Sequence, residues 1–365
     1  MRLLGDQIDG VGFSSMLRNV AGLKKDYINR KSTLIHECVL GYAGYPLEYS
    51  VTQQPFEINS FDELGNTPLH WAAWRGNVRA ARTLLAHGAK VDIINQDGLV
   101  ALHLAAKSTS GDMISLLLNN GADPNALNSI GMTPLHYAVM THFFDWTVEA
   151  LVDGGANVDA QTFEGESPLN ILVKSATYRG IPRHPESCVD KLLASGANID
   201  LPCCWGRTPV HHALRSARGF SLLKLLISAG ARLDGVDCDG NSVLHYVALY
   251  GALRQIRYLN NGRLVNMDPD QRNTEGRSPL DCFEWRKAAE VGETAPGIVP
   301  PDANEVAAFE ALIVELRERN WAAGLCLNTK ATLDVNGSHL ELQQRVLVAW
   351  EGTIFGEMML ETTSL

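Results

Sequence analysis

Six histidines recur along the chain at nearly equal intervals, except that the step from His136 to His211 is about twice as long as the others. Imidazole is the side chain that most often binds metals and transfers protons near neutral pH. Four of the six close a four-residue phrase of the type Thr-Pro-Leu-His, at 67–70, 133–136, 208–211 and 242–245. The spacing therefore admits two interpretations, a set of metal ligands or a repeated framework. The histidines are His36, His70, His103, His136, His211 and His245.

A second arrangement could bind zinc, because Cys203 and Cys204 are followed by His211 and His212, with Cys238 nearby. However, His211 belongs to the repeated phrase, and Cys204 and Cys238 occupy equivalent positions one interval apart. Equivalent positions in neighbouring units should be about 8–10 Å apart, like packed helices, which exceeds the reach of one tetrahedral ion or a disulfide. The sequence therefore predicts no metal and no other cofactor. Seven cysteines at unrelated positions indicate reduced thiols.

Each phrase lies within a unit of about 33 residues whose two ends are marked by the local sequence. A glycine precedes the phrase, Thr or Ser can cap a first helix, and Pro takes the first helical position, where its missing N–H costs nothing. A second apolar run at helical spacing follows, as at 222–227. The unit then stops at a Gly-Ala pair, which suits a left-handed helix end. These pairs begin at Gly88, Gly121, Gly155, Gly196 and Gly230.

The long step between His136 and His211 conceals a further unit, whose phrase is Ser-Pro-Leu-Asn at 167–170. A degenerate phrase ends at His36, and Ser-Pro-Leu-Asp stands at 278–281. The stretch from Asn170 to its closing Gly196 is longer than the equivalent stretch from His70 to Gly88. About eight residues near 175–185 are therefore predicted to form a loop inserted between two helices. The insertion is either a simple length variant or a recognition loop.

The period and the phrase Thr-Pro-Leu-His resemble the ankyrin-repeat family over roughly 32–320. The resemblance implies an all-α solenoid of seven to eight helix–turn–helix units, each with a β-hairpin finger in front of its inner helix. It also implies that the Thr hydroxyl and the His imidazole hydrogen-bond locally and join neighbouring units. The histidines are then framework rather than metal ligands.

The ends of the array are less regular than its middle. Residues 1–31 are predicted to be a capping segment, and the alternative is that they are what remains of a larger architecture. A Pro-rich stretch at 293–301 precedes the amphipathic run 306–316, which we interpret as the outer helix of an irregular final repeat with a polar terminal face. The tail 321–365 has no repeat signal but contains one helical candidate at 340–350. That segment packs back onto the last repeat or docks onto another protein.

Composition argues against several classes of function. A net charge of −10 and a pI near 5.6 disfavour nucleic-acid binding, which needs a basic stripe. No apolar run approaches the roughly 18 residues that cross a membrane, and Asp6 and Asp9 interrupt anything like a signal-peptide core. G-x-S-x-G, H-E-x-x-H and P-loop motifs are missing. We therefore expect an intracellular protein, cytoplasmic or nuclear, without catalysis of its own.

The resemblance also indicates where a partner would bind, because ankyrin proteins use a concave groove lined by finger tips and inner helices. Aligned on the phrase, this groove is apolar at its N-terminal end and basic in its middle, which favours a partner with an acidic segment. The alternative is that these side chains pack against adjacent fingers. Neighbouring finger positions add Phe61, Ile94, Leu127, Phe163 and Trp205. The predicted partner-binding residues are Phe61, Trp74, Leu99, Met132, Met140, Lys174, Trp205, Arg207, Arg215 and Trp285.

These features predict a monomeric scaffold for protein–protein interaction. The alternative is a regulatory or targeting subunit, or a fragment of a larger enzyme whose catalytic part lies elsewhere. The irregular ends and the acidic character are similar to stand-alone fungal ankyrin proteins, although bacterial and viral ankyrin proteins look comparable.

Overall fold

The chain folds into successive pairs of antiparallel helices. The computed structural model describes residues 33–41, 46–108, 110–140, 145–179, 185–260, 264, 267–288 and 298–322. Within these ranges there are eight helix pairs and no β-strand, which confirms the predicted all-α repeat architecture. The predicted cap at 1–31 and the helical candidate at 340–350 lie outside the described residues.

Each pair consists of an inner helix that carries the repeated phrase and an outer helix that follows it. The inner helices are α1 (Leu34–Leu40), α3 (Pro68–Arg75), α5 (Ala101–Lys107), α7 (Pro134–Met140), α9 (Pro168–Arg179), α11 (Pro209–Leu214), α13 (Val243–Tyr250) and α15 (Pro279–Ala288). The outer helices are α2 (Leu47–Gln53), α4 (Val78–Ala86), α6 (Gly111–Asn119), α8 (Asp145–Asp153), α10 (Pro185–Ala194), α12 (Phe220–Ser228), α14 (Leu253–Asn260) and α16 (Ala303–Ala322). We number the units 1 to 8 by these pairs.

The helices begin at the predicted capping residues and end at the predicted stop residues. Thr67 precedes α3 in an extended conformation, with φ −89° and ψ 166°, and Pro68 takes the first helical position. After α4, Gly88 adopts a φ of 93°, so its N–H reaches Leu85 O at 3.1 Å and the next N–H, of Ala89, reaches Leu84 O at 3.0 Å. This pair of hydrogen bonds closes a helix only when the glycine adopts the left-handed backbone conformation. The Gly-Ala pairs are therefore helix stops.

The core runs along the stack between the two layers of helices. Every inner helix packs on the inner helices before and after it, and small residues such as Ala72 and Ala105 are fully buried where these helices meet. Leu84 of α4 and its counterpart Leu117 of α6 are also fully buried. Burying one such leucine contributes about 1.5–3 kcal/mol. Because each unit contacts only its neighbours, this core is continuous rather than centred on one point.

A hairpin finger precedes each inner helix from unit 2 onward, and neighbouring fingers are hydrogen-bonded to one another. Gln96 N donates to Leu64 O at 3.2 Å, and Ser129 N donates to Asp97 O at 3.2 Å. The same bond recurs at each later junction, ending with Thr274 N to Asp239 O at 2.9 Å. A Cβ added at the tip residue Gly98, whose φ is 74°, would lie 2.7 Å from Ser129 N. The fingers thus form one closely stacked edge.

The predicted loop at 175–185 is wrong for its first half. Residues 175–179 continue α9, which ends at Arg179. Thr177 is 1% exposed and its hydroxyl donates to Val173 O at 2.7 Å, while Ala176 is also buried. The helix continues because no glycine or proline interrupts the chain before Gly180. Residues 180–184 lie outside the described residues, and α10 begins at Pro185.

The final unit has the outer helix that the sequence predicts, but it is longer. The helix α16 spans Ala303–Ala322 and includes the predicted run at 306–316. Phe309 stacks on Phe283 of α15 with ring centroids 4.1 Å apart. Arg286, only 4% exposed, pairs with Glu305 at 2.9 Å. One buried ion pair and one aromatic stack therefore hold the last outer helix against the array.

Candidate partner-binding surface

The repeated histidine forms hydrogen bonds within its own unit and to the next unit, and we call this linkage the histidine strut. His70 Nδ1 accepts the N–H of Thr67 at 3.1 Å and lies 2.8 Å from its hydroxyl. Because Nδ1 accepts an N–H, the ring proton of the neutral imidazole is on Nε2. Nε2 then donates to Leu99 O in the next unit at 3.0 Å. Both ring nitrogens are occupied, so His70 offers no lone pair to a metal.

The same geometry recurs along the array, which confirms the framework interpretation. Burial lowers the pKa of His70, His103 and His136 to about 4 in each case, so these rings are neutral at physiological pH. Asn170 substitutes for the histidine in unit 5, and its side-chain amide donates to Leu201 O at 3.0 Å. The bonds from Nε2 to the next unit, at 3.0–3.1 Å, join His36 to Asn66 O, His103 to Met132 O, His136 to Glu166 O and His245 to Arg277 O.

Unit 6 departs from this pattern. His211 Nδ1 accepts the N–H of Thr208 at 3.1 Å, but its Nε2 is buried without a hydrogen-bond partner. His212 is 2% exposed and neither of its ring nitrogens has a partner. Burial is the main cause that holds the pKa of His212 well below its usual value. In the sequence His212 was considered only as a possible zinc ligand, and this buried polar defect was missed.

A pairing rule explains the defect in unit 6. In units 2, 4 and 7, the residue after the repeated His bonds a finger residue nine positions earlier. Trp71 Nε1 donates to Asp62 at 2.9 Å, and the Tyr246 hydroxyl donates to Asp237 at 2.8 Å. In unit 6 the two positions hold His212 and Cys203, and a thiol is a weak substitute for a carboxylate. The sequence therefore contained the signal for this defect, because Cys203 stands nine positions before His212.

A hydrogen bond connects two cysteines on the neighbouring fingers of units 6 and 7. Cys238 Sγ donates to Cys204 O at 3.3 Å, because neighbouring fingers are in direct backbone contact. None of the six cysteines in the described part of the chain is in a disulfide. The described residues contain no group of three or more His, Cys, Asp or Glu side chains that could hold a metal ion.

The predicted groove residues divide into exposed, half-buried and buried sets. Phe61 and Trp205 are 52% and 39% exposed. Trp74, Met140 and Trp285 are half-buried and pack against the core. For Trp74, the packing includes an edge contact with Trp71 at a centroid distance of 5.7 Å.

Leu99 and Met132 are not exposed groove residues, and this part of the prediction is wrong. They are 3% and 1% exposed. Each follows a finger glycine, at the junction where the histidine of the preceding unit bonds its carbonyl. The position is therefore covered by the neighbouring unit, and neither side chain is available to a partner.

The basic residues in the middle of the array lie close together but are largely covered. Lys174 pairs with Glu166 at 2.6 Å, with side-chain exposures of 19% and 6%. Arg215 is only 9% exposed and lies 5.4 Å above the ring of Tyr250. Arg207 is half-buried, 6.0 Å from the ring of Trp205. The positive charges of Lys174, Arg207 and Arg215 all help to lower the pKa of His212.

Exposed apolar side chains are concentrated on the fingers. Ile94 and Leu127 are 59% and 54% exposed, and Phe163 is 72% exposed. Val236, which the sequence did not single out, occupies the same finger position as Ile94 and is 43% exposed. We call these exposed residues the finger row. It consists of Phe61, Ile94, Leu127, Phe163, Trp205 and Val236.

This arrangement defines a class of protein: a stack of helix pairs whose linked fingers present one apolar edge. The family model described as "Ankyrin repeats (3 copies)" matches the chain over 35–128, 69–162, 102–183 and 180–273. The chain belongs to the ankyrin-repeat family.

Known relatives support the same assignment. The chain is 28% identical over 255 residues to the mouse B-cell lymphoma 3 protein homolog, an alignment covering 67% of this chain and 54% of that protein. It is 34% identical over 167 residues to mouse ankyrin repeat and SOCS box protein 16, covering 46% of this chain and 37% of that protein. The alignments thus span about half or less of each relative's length.

A solved structure has the same fold. The crystal structure of the ankyrin repeat domain of Bcl-3, described as a unique member of the IkappaB protein family, matches with a TM-score of 0.52 and 27% identity. The match covers 70% of this chain and all of that domain. In the part of the chain that the structure describes, no helix is both long and apolar enough to span a membrane.

Proposed function

We propose that this protein is a non-catalytic scaffold that binds a partner protein along its fingers and the adjoining inner helices. The observation that carries the proposal is the finger row, because six large apolar side chains stand on one rigid, hydrogen-bonded edge. Several exposed large apolar side chains on one edge of a repeat protein are typical of an interaction site. The half-buried Trp74, Met140 and Trp285 stand towards the C-terminal ends of their inner helices and are secondary contacts away from the fingers.

The finer features of the partner follow from charge. The half-buried Arg207 lies 6.0 Å from the ring of the exposed Trp205, which supports a contact with an acidic segment of the partner at units 6 and 7, whereas Arg215 is largely buried. Lys174 contributes less, because Glu166 already neutralises it at 2.6 Å. We further propose a monomer. We also propose a location in the cytoplasm or nucleus, which the lack of disulfides among the six cysteines of the described residues supports. Similarity to stand-alone fungal proteins stays a prediction.

A regulatory or targeting subunit, or a fragment of a larger enzyme, is the second candidate. The observation that favours it is that the alignments cover 54% and 37% of the two relatives, so each relative contains further sequence outside the aligned part. In this alternative the finger row still binds protein, but the partner is the catalytic chain or its substrate. The two candidates therefore differ in what co-purifies rather than in which surface is used.

Affinity purification from the native organism tests the proposal. Tagged wild-type chain is compared with a variant whose six finger-row side chains are serine, and with a control that carries Tyr49→Ser, Val299→Ser and Val314→Ser. The control residues are 54%, 65% and 51% exposed but lie off the fingers. We expect the co-eluting partner to disappear only from the finger-row variant. Retention by that variant and loss from the control would place the binding surface elsewhere.

A further inference from the structure

Three side chains of the finger row form a regular series. Phe61, Ile94 and Leu127 each stand four positions before the tip glycine of their finger, in units 2, 3 and 4. They are 52%, 59% and 54% exposed. The equivalent residues in units 5 and 6 are Gln161 and Pro202, so the series ends there. Three similar apolar anchors in consecutive units therefore make a defined subsurface, which we call the apolar series.

The spacing of the apolar series is fixed by the fold. Gln96 N to Leu64 O and Ser129 N to Asp97 O, both 3.2 Å, join the three fingers. The inner helices behind them are in contact, which sets one unit at about 8–10 Å. The anchors therefore recur about every 8–10 Å on a support that does not depend on a partner.

This spacing discriminates between the two regular forms of a bound peptide. A helix rises about 1.5 Å per residue, so residues seven apart share a face at about 10.5 Å. An extended strand repeats a face every two residues, at about 6.8 Å, and every four at about 13.6 Å. Of these three repeats, the helical one is nearest to the spacing of one unit.

The charges around the apolar series are mostly negative. The finger segments 57–67, 88–100 and 121–133 contain six carboxylates and a single lysine, Lys90. Glu63, Asp92 and Asp123 are exposed, whereas Asp62 is buried against Trp71. The nearby cations Arg75 and Lys107 stand at the opposite ends of their inner helices from the fingers. The surface around the anchors thus favours cationic groups on the bound peptide.

We propose that the apolar series binds a basic amphipathic helix of the partner protein, with apolar residues at i, i+7 and i+14 and Lys or Arg on the flanking positions. The proposal rests on the proposed scaffold function and assigns a ligand chemistry to its N-terminal part. It is independent of the acidic segment proposed for units 6 and 7.

Selection from a peptide library tests this assignment without knowledge of the natural partner. Random peptides of about 21 residues, three heptads long, are displayed on yeast and selected on the full chain. Counter-selection uses the variant Phe61→Ser, Ile94→Ser and Leu127→Ser. We expect enriched sequences with apolar residues seven apart and an excess of Lys and Arg. We also expect helical circular dichroism in the bound state and weaker binding as salt rises.

Single variants quantify the result with the best enriched peptide. Each of Phe61→Ser, Ile94→Ser and Leu127→Ser should lower affinity about tenfold or more, as at an interface hot spot. Val314→Ser is the matched control, because this side chain is 51% exposed but lies off the fingers, and it should leave affinity unchanged. Thermal melts of the triple variant should match wild type, because all three side chains are exposed.

Three outcomes would overturn the proposal: enrichment of peptides with a two-residue apolar period, enrichment of acidic peptides, or no clone that distinguishes wild type from the triple variant. If the natural partner is lost only with the full six-residue finger-row variant and not with the triple variant, the scaffold function stands and the helix assignment fails.

Discussion

The repeated histidine suits its position because a neutral imidazole has one acceptor and one donor on opposite sides of the ring. Nδ1 caps the inner helix at the Thr N–H, and Nε2–H reaches the carbonyl of the next unit. Protonation would put a hydrogen on Nδ1, directly against the Thr N–H. Burial opposes the charged form for the same rings and lowers their pKa. Structure and protonation state are therefore linked at each strut.

The first prediction is an acid sensitivity that begins well above the range of carboxylates. The pKa of His70, His103, His136 and His211 is about 4 in the folded chain, against 6.5 for a free histidine. Between these values the unfolded chain binds protons that the folded chain does not, so stability is lost as pH falls from 6.5 towards 4. Each ring contributes up to about 1.4 kcal/mol per pH unit. Urea unfolding midpoints at several pH values measure the loss.

The variant His136→Asn is the control, because the chain itself uses Asn170 at the equivalent position of unit 5. At pH 7 it should cost about 1 kcal/mol, the worth of the lost bond to the Thr133 N–H. Its stability should then fall less steeply with pH than that of wild type. Identical slopes for the two proteins would show that this ring does not remain neutral.

The sequence predicted residue roles well where the contact is local and poorly where it crosses units. The Thr-to-His bond spans three positions, so the phrase itself contains both partners. Leu99 and Met132 were predicted as groove residues because they are buried by the adjacent unit, and this contact cannot be seen in their own local sequence. The missing partners of His212 depend on a finger residue nine positions away and on the packing of the next unit. Burial by a neighbouring unit, as at Leu99 and Met132, leaves no periodic signal.

At the scale of elements, helix boundaries were predictable at strong stop signals and not at the insertion. The Gly-Ala pairs end helices as the sequence indicates. In unit 5 the extra length was correctly located, but the excess residues begin as a continuation of α9 rather than as loop. The number of extra residues gives the length of an insertion but not its conformation.

The second prediction tests the extended part of α9. Ala176→Gly should destabilise the chain by about 1 kcal/mol through helix propensity, with a further loss from the buried methyl group. Ala160→Gly, in the irregular segment before the finger of the same unit, is the control and should cost clearly less. Chemical denaturation of both variants provides the comparison. Equal effects would mean that 175–179 behaves as a loop in solution.

The third prediction compares two ion pairs on α16. Glu305→Ala leaves the buried Arg286 guanidinium without its carboxylate and should cost about 3–5 kcal/mol. Arg317→Ala breaks the pair with Asp270, whose side chains are 46% and 44% exposed, and should cost at most about 1 kcal/mol. Thermal and urea unfolding of the two variants measure the difference. A small effect of Glu305→Ala would show that water reaches Arg286.

For the whole molecule, stability is a sum of units and junctions, so one weak junction divides the array. Units 6 and 7 lack the histidine strut, because His211 Nε2 has no partner. Their outer helices α12 and α14 also touch less than any other neighbouring outer pair in the described residues. Gln255 provides a polar tie instead, donating to Ala213 O at 3.3 Å and Ser216 O at 3.1 Å. This junction lies beside Trp205 and Arg207 of the proposed binding surface.

The last prediction is that the array opens first at the junction of units 6 and 7. Amides of α11 and α13 should exchange with solvent faster than those of α3 and α5, since local opening there breaks fewer contacts.

His212→Leu should slow this exchange and stabilise the chain by about 1–3 kcal/mol, because it removes two buried polar atoms that have no partner. The chain already has Leu104 at the equivalent position of unit 3, fully buried. The same change at a satisfied ring, His103→Leu, should instead destabilise the chain. Uniform protection along the array would show that the junction is not a weak point. Destabilisation by His212→Leu would show that the ring nitrogens of His212 have hydrogen-bond partners in solution.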